Sequence, residues 1–187
     1  MIVSFNFYYA RPGQAEAVLR QRLLACDVRL DLKLPRGRVL VRQAGSAELP
    51  EGVWEQHFDD VEGHLRDMDV RAASPAFEAV RAGMRKLCRR FERPLFEAHD
   101  AAAAVGGIVT LDWLFGSPEL DVDVVELLQA APADDVQALR LITPGDDLPR
   151  WILKREGVEA DSPDHRTWRD AVAGAGERVE HSVWRVA

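Results

Sequence analysis

Apolar and polar positions alternate from Ile2 to Tyr9, with Val3, Phe5, Phe7 and Tyr9 set against Ser4, Asn6 and Tyr8. That is the two-residue period of a strand, and Ile108 to Phe115 repeats it. A helical stripe follows each: Ala15, Val18, Leu19 and Leu23 after Pro12, and Leu120, Val124, Leu127, Leu128 and Ala131 before Pro132. Next come paired strands, Arg38 to Gln43 with Gly52 to Phe58, and Gln137 to Thr143 with Arg150 to Arg155 across Pro144-Gly145-Asp146-Asp147. Ser74-Pro75 and Ser162-Pro163 each read as an N-cap and first helical residue. The first of these helices buries Phe77, Val80, Met84 and Leu87, the second His165, Trp168, Val172 and Ala175. Phe91 to Ala98 and Val179 to Ala187 close the two series as strands.

The series align with each other. Residues 2–12 match 108–118 in polarity class almost throughout, and Ser74 to Ala98 lies over Ser162 to Val186 with Arg81/Arg169, Arg90/Arg178 and Glu92/Glu180 coinciding. Each copy is therefore β-α-β-β-α-β, the ferredoxin-like order, whose four-stranded sheet carries helices on one face only. Two such sheets can cover each other's bare face. The pattern predicts an α+β fold of two tandem ferredoxin-like repeats, packed sheet to sheet as a single-chain α+β barrel. Residues 1–99 form the first repeat, 100–107 an Ala/Gly linker and 108–187 the second, shorter repeat.

Composition narrows the class. With 187 residues, 47% apolar and 29% charged, the chain can bury a core and is expected to be globular and soluble. No apolar run is long enough to span a bilayer and no leader pattern follows Met1, so a cytoplasmic protein without a membrane partner is expected. Cys26 and Cys88 make neither a disulfide framework nor a CxxC pair. The net charge of −7 divides unevenly, +2 over residues 1–99 and −9 over 100–187, and an acidic total disfavours nucleic acid as a partner. One basic stripe, Arg81, Arg85, Lys86, Arg89, Arg90 and Arg93, reads as the solvated, cationic end of a helix. Fused copies would act as a monomeric pseudo-dimer, and exposed edge strands leave a homodimer open.

Trp54-Glu55 on a strand, then His64, then Ser74-Pro75-x-Phe77 opening a helix, resembles the succession in antibiotic-biosynthesis-monooxygenase-like members of the dimeric α+β barrel superfamily. The gap from His64 to Ser74 is longer than in that pattern. The second copy keeps Trp151 and Ser162-Pro163 but has Ile152 for the Glu and His165 for the Phe. The resemblance implies a fold and a small-molecule cavity. Its members include cofactor-free oxygenases, isomerases, cyclases, haem-binding enzymes and proteins without a known reaction, and fold alone does not choose among them.

If Val3, Phe5 and Phe7 face the helices, then Asn6 and Tyr8 face away from them. Trp54 on the helix side would turn Glu55 and His57 the same way, with Asp112 and Lys154 joining from the second copy. His57 and Glu55 are then candidate general base and partner, with Asn6 and Tyr8 as catalytic donors to a developing oxyanion. Asp112, Lys154, Trp54 and His165 are candidate ligand-binding residues. The alternatives weighed are a solvent-facing Glu55–His57 pair and a satisfied core His165. No metal-ligand spacing is present, so no metal and no cofactor are expected, although a haem iron needs only one histidine and spacing leaves haem open. P-loop, GxGxxG and GxSxG patterns are missing. The expected function is proton transfer or cofactor-free oxygenation on a small apolar substrate; the alternatives are a non-catalytic ligand-binding or interaction protein with a packed barrel, and a haem-binding barrel.

Overall fold

The computed structural model describes residues 1–99, 107–130, 136–143, 145, 147–157 and 162–187. The chain forms two compact units: Met1–Arg42, Ala47–Phe96 and Ala187 in the first, and Gln43–Ser46 with Glu97–Val186 in the second. Apart from Gly107, the expected linker lies outside the described residues, as do Pro132, Pro144 and Asp146.

From Met1 the chain runs β1 (Ile2–Ala10), α1 (Ala15–Asp31), β2 (Arg38–Gly45), β3 (Gly52–Phe58), α2 (Val61–Ala72), α3 (Pro75–Leu87) and β4 (Cys88–Glu92), with β5 (Leu95–Ala98) following Pro94. β1 pairs antiparallel with β3 and with β4, and β3 also pairs with β2. The sheet order β2-β3-β1-β4 is the ferredoxin-like one. In the second unit, β6 (Ile108–Phe115), α4 (Leu120–Ala130), β7 (Val136–Leu141), β8 (Trp151–Glu156), α5 (Pro163–Val172) and β9 (Arg178–Val186) follow in the same order. Their sheet is β7-β8-β6-β9, again antiparallel. The fold class is α+β.

Both Ser-Pro helix starts form as expected. Ser74 Oγ accepts from Phe77 N and Ser162 Oγ from His165 N, each at 3.2 Å, with the proline in the first turn. Two elements depart from the sequence reading. Residues 91–98 are not one strand, because Arg93-Pro94 separates β4 from β5, and proline cannot donate to a ladder. Asp59-Asp60 and Glu62 read as loop charge, but Asp60 caps α2, its Oδ1 accepting from Gly63 N at 2.7 Å. That helix escapes an apolar-stripe search because it buries His64 and Asp67 while Leu65 and Met68 stay exposed.

Candidate functional site

The faces of β1 are reversed relative to expectation. Tyr8 packs in the helix-side cluster with Val18, Cys26, Trp54 and Met84, and Asn6 is opposite Trp54 in the β1–β3 register, so Asn6, Tyr8 and Trp54 share the helix-facing side. Phe5 and Phe7 take the other face, where Phe5 meets Phe96 edge-on at 5.5 Å. All nine residues of β1 are buried, so its alternation carries no label for which face meets the helices. Polar Asn6 and Tyr8 can face the helices because α1 supplies a partner. Arg22, only 4% exposed, donates from Nη1 to the Tyr8 hydroxyl at 3.2 Å, and Asn6 Nδ2 donates to the same oxygen at 3.3 Å.

Asn6, Tyr8 and Arg22 lie in a cleft of about 210 Å³ bounded by α1, α3 and β4. Ala25, Phe77, Val80, Met84 and Phe91 give it an apolar wall, and the Phe91 ring stands 5.2 Å from that of Tyr8. Seven arginines, Arg22 among them, line it, and no Asp, Glu or His is among the described lining residues. The basic stripe read from the sequence as a solvated helix end thus forms much of a cleft wall. Carboxylates just outside pair with part of it: Glu78 with Arg81 and Arg85, Glu92 with Arg90, and Asp67 with Arg71. Cys88 is also in the lining, but burial first and Glu51 second push its thiol up to about 11, so it is no nucleophile at neutral pH.

Behind Tyr8 the cations are stacked on one indole. The Arg22 and Arg29 guanidinium carbons sit 4.3 and 4.6 Å from the Trp54 ring centroid. Arg29 is closed by two hydrogen bonds to Asp67, at 3.1 and 2.6 Å, and Arg71 Nε reaches the same carboxylate at 2.6 Å. Trp54 Nε1 donates to Arg36 O at 3.1 Å. Gly37, at φ +70, lies where a Cβ would come within 2.3 Å of this indole. Burial, the largest cause, lowers the pKa of Arg71, and nearby Arg29 and Arg22 add to it against the opposing pull of Asp67.

The proposed catalytic set divides between two faces of the first sheet. Glu55 and His57 point away from the helices, Glu55 beside Phe5 and His57 beside Val3, with His57 Nε2 2.5 Å from Glu55 Oε1. Arg38 stands 3.8 Å from the other Glu55 oxygen. A four-residue cluster of Asn6, Tyr8, Glu55 and His57 is therefore not formed, because adjacent strand residues face opposite ways. His64, carried by the resemblance, is buried on α2 edge-on to Phe58, its pKa lowered by burial and then by Arg71.

In the second unit Asp112 likewise faces the helices. Its Oδ2 accepts from Trp168 Nε1 at 3.0 Å and its Oδ1 lies 2.7 Å from His181 Nδ1, while His181 Nε2 is 3.4 Å from His165 Nε2. His165 is fully buried, and its pKa is lowered by burial first and by His181 second. Asp112 and His165 are thus brought together by His181, which sequence reasoning did not single out. Its signal was the register that sets a closing strand beside the opening one, as His181 is beside Asp112. Lys154 takes the opposite face, held by Gln137 Oε1 at 3.2 Å and Glu156 at 2.8 Å. Among the described residues no three His, Cys, Asp or Glu side chains are grouped as a metal site would need.

No protein-family model matches the chain, and no curated protein matches it. Solved structures do. A "putative monooxygenase" from Fusobacterium nucleatum is similar over 99% of this chain and 91% of its own, at TM-score 0.63 and 8% identity. An anthrone oxidase-like protein matches over 100% and 90%, at TM-score 0.60 and 10% identity. A second "putative monooxygenase", from Lactobacillus acidophilus, matches over 99% and 93%, at TM-score 0.56 and 9% identity. Likeness at such identity is a likeness of fold, that of the dimeric α+β barrel proteins.

Proposed function

We propose that the protein is an enzyme of the proton-transfer or cofactor-free oxygenation kind, and that its small-molecule substrate lies in the cleft of the first unit with its reacting oxygen at the Tyr8 hydroxyl. The observation that carries this reading is the double acceptance by that hydroxyl. Asn6 and Arg22 occupy both lone-pair positions of the phenolic oxygen, so its own proton is left to donate to a ligand. Charge that develops on a substrate oxygen there would meet a fixed O–H donor and a guanidinium beside an apolar wall, where such donors act more strongly than in open water. Among the described residues no carboxylate or imidazole lines the cleft, so the cationic wall promotes ionisation by stabilising the substrate anion, and the proton leaves to water. An electron-rich enolate or phenolate of this sort is the common starting point for a proton shift and for attack on dioxygen. His57 and Glu55 stand outside this reading. The shared strand order of the two sheets supports a duplicated unit, in which the first copy holds this cleft. Two buried free thiols suit a reducing cytoplasm.

Anthrone is a suitable probe, given the name of one structural neighbour. Exchange of its benzylic protons in D₂O and its oxygen uptake are followed with and without protein. The wild type is expected to accelerate at least one of them, and Tyr8→Phe to lose on the order of a hundredfold of that acceleration. Equal rates for Tyr8→Phe and the wild type would refute the assignment of Tyr8, and rates no higher than those without protein would refute the reading for this substrate type.

A further inference from the structure

Arg22 and Arg29 offer an internal comparison. Both are almost fully buried on α1, 4% and 0% exposed, and both lie against the Trp54 ring. Arg29 has its counter-ion, Asp67, in a two-bond pair. Among the described residues the hydrogen-bond and ring partners of Arg22 are all neutral: the Tyr8 hydroxyl, the Cys26 sulfur at 3.8 Å and the indole. Its Nε is buried without a hydrogen-bond partner, and no carboxylate of the described residues pairs with it. Burying an uncompensated guanidinium is costly, so a fold that keeps one beside a cleft implies a compensating anion from outside.

The surroundings point the same way. Arg71 is near enough for the two cations to repel, and Arg93 rests on the Phe91 ring at 4.6 Å with Arg81, Arg71 and Arg85 around it. The remaining wall is apolar, Phe77, Val80, Met84 and Phe91. Such a cleft matches a molecule with a flat hydrophobic body and one acid group. The buried Arg22 guanidinium, with its Nε–H unpaired, is the cation left for that acid group, while the Tyr8 O–H serves the reacting oxygen.

We propose that the cleft's ligand is an aromatic carboxylate, bound as the anion with Arg22 as its counter-ion. This rests on the reading of the cleft as the substrate site and names the substrate's chemical class. The test is calorimetric titration of the whole protein with 2-naphthoate and with its neutral counterpart 2-naphthamide. The carboxylate is expected to bind at least about tenfold more tightly than the amide. Arg22→Met is expected to abolish the preference and Arg22→Lys, which keeps the charge, to retain part of it. Equal binding of the two probes, or a preference undiminished in Arg22→Met, would overturn the anion assignment while leaving the cleft a ligand site. Binding of neither at millimolar concentration would overturn both. A preference lost in Arg22→Met and in Arg22→Lys alike, with both variants folded by circular dichroism, would overturn the charge-pairing role given to Arg22.

Discussion

At the scale of single residues, this protein places polar groups where a pattern reading expects bulk, and satisfies them with few partners. Ser182 is the clearest case. Fully buried, its Oγ accepts from the indole nitrogens of both Trp113 and Trp184 at 2.7 Å and donates to Leu111 O at 3.2 Å. Replacing it by alanine strands two buried N–H donors, and each stranded donor costs about 1–3 kcal/mol. Ser182→Ala is expected to lose roughly 2–4 kcal/mol in urea unfolding, well above a typical surface substitution. A loss below about 0.5 kcal/mol would mean that the indoles find other acceptors. Nothing in the sequence marks Ser182, because its role depends on two tryptophans, one of them 69 residues away. The same holds for Arg22 and His181. Tyr8, Asn6 and Asp112 were legible as buried polar strand residues, yet not which face they take.

Elements were more readable than residues, because they depend on short-range signals. Apart from α2 and the break between β4 and β5, the order of strands and helices, the helix-side tryptophans and both Ser-Pro starts follow from periodicity and capping chemistry. What failed was amphipathicity where a face buries charge. Helix α1 packs Arg22 and Arg29 inward beside Val18, Ala25 and Cys26, and α2 packs His64 and Asp67. Both helices serve the stack around Trp54 and Asp67 rather than an oily seam, so an apolar stripe describes α1 in part and α2 not at all. The caps permit a test at this scale. Ser74→Ala and Ser162→Ala each remove an acceptor from a first-turn N–H, and each is expected to cost about 1 kcal/mol. The Ser74 change should also perturb the cleft, since the helix it starts carries Phe77, Val80 and Met84 into the lining. Unaltered thermal midpoints for both variants would show that neither hydroxyl caps its helix in solution.

Across the whole molecule, acid sensitivity should come from one buried histidine in each unit. His64 sits among Arg71, Arg29 and Asp67, and His165 among His181, Asp112, Arg155 and Arg169, and in both the largest influence is burial, which lowers the pKa. A histidine whose folded pKa lies below its unfolded value near 6.5 takes up its proton more readily in the unfolded chain. Stability is therefore fully present above about pH 6.5 and falls as pH drops from there toward the lowered folded values. Carboxylates paired in the folded state add their own losses only further into acid, so the window between about pH 7.5 and 5.5 isolates the histidines. Urea unfolding across that window should show stability level down to about pH 6.5 and declining below it, and His165→Gln, which cannot take up a proton, should flatten that decline. The remaining slope belongs to His64, and the double variant with His64→Gln should remove most of it. Stability that holds constant or rises between pH 7.5 and 5.5 in the wild type would contradict the burial of both imidazoles as neutral groups.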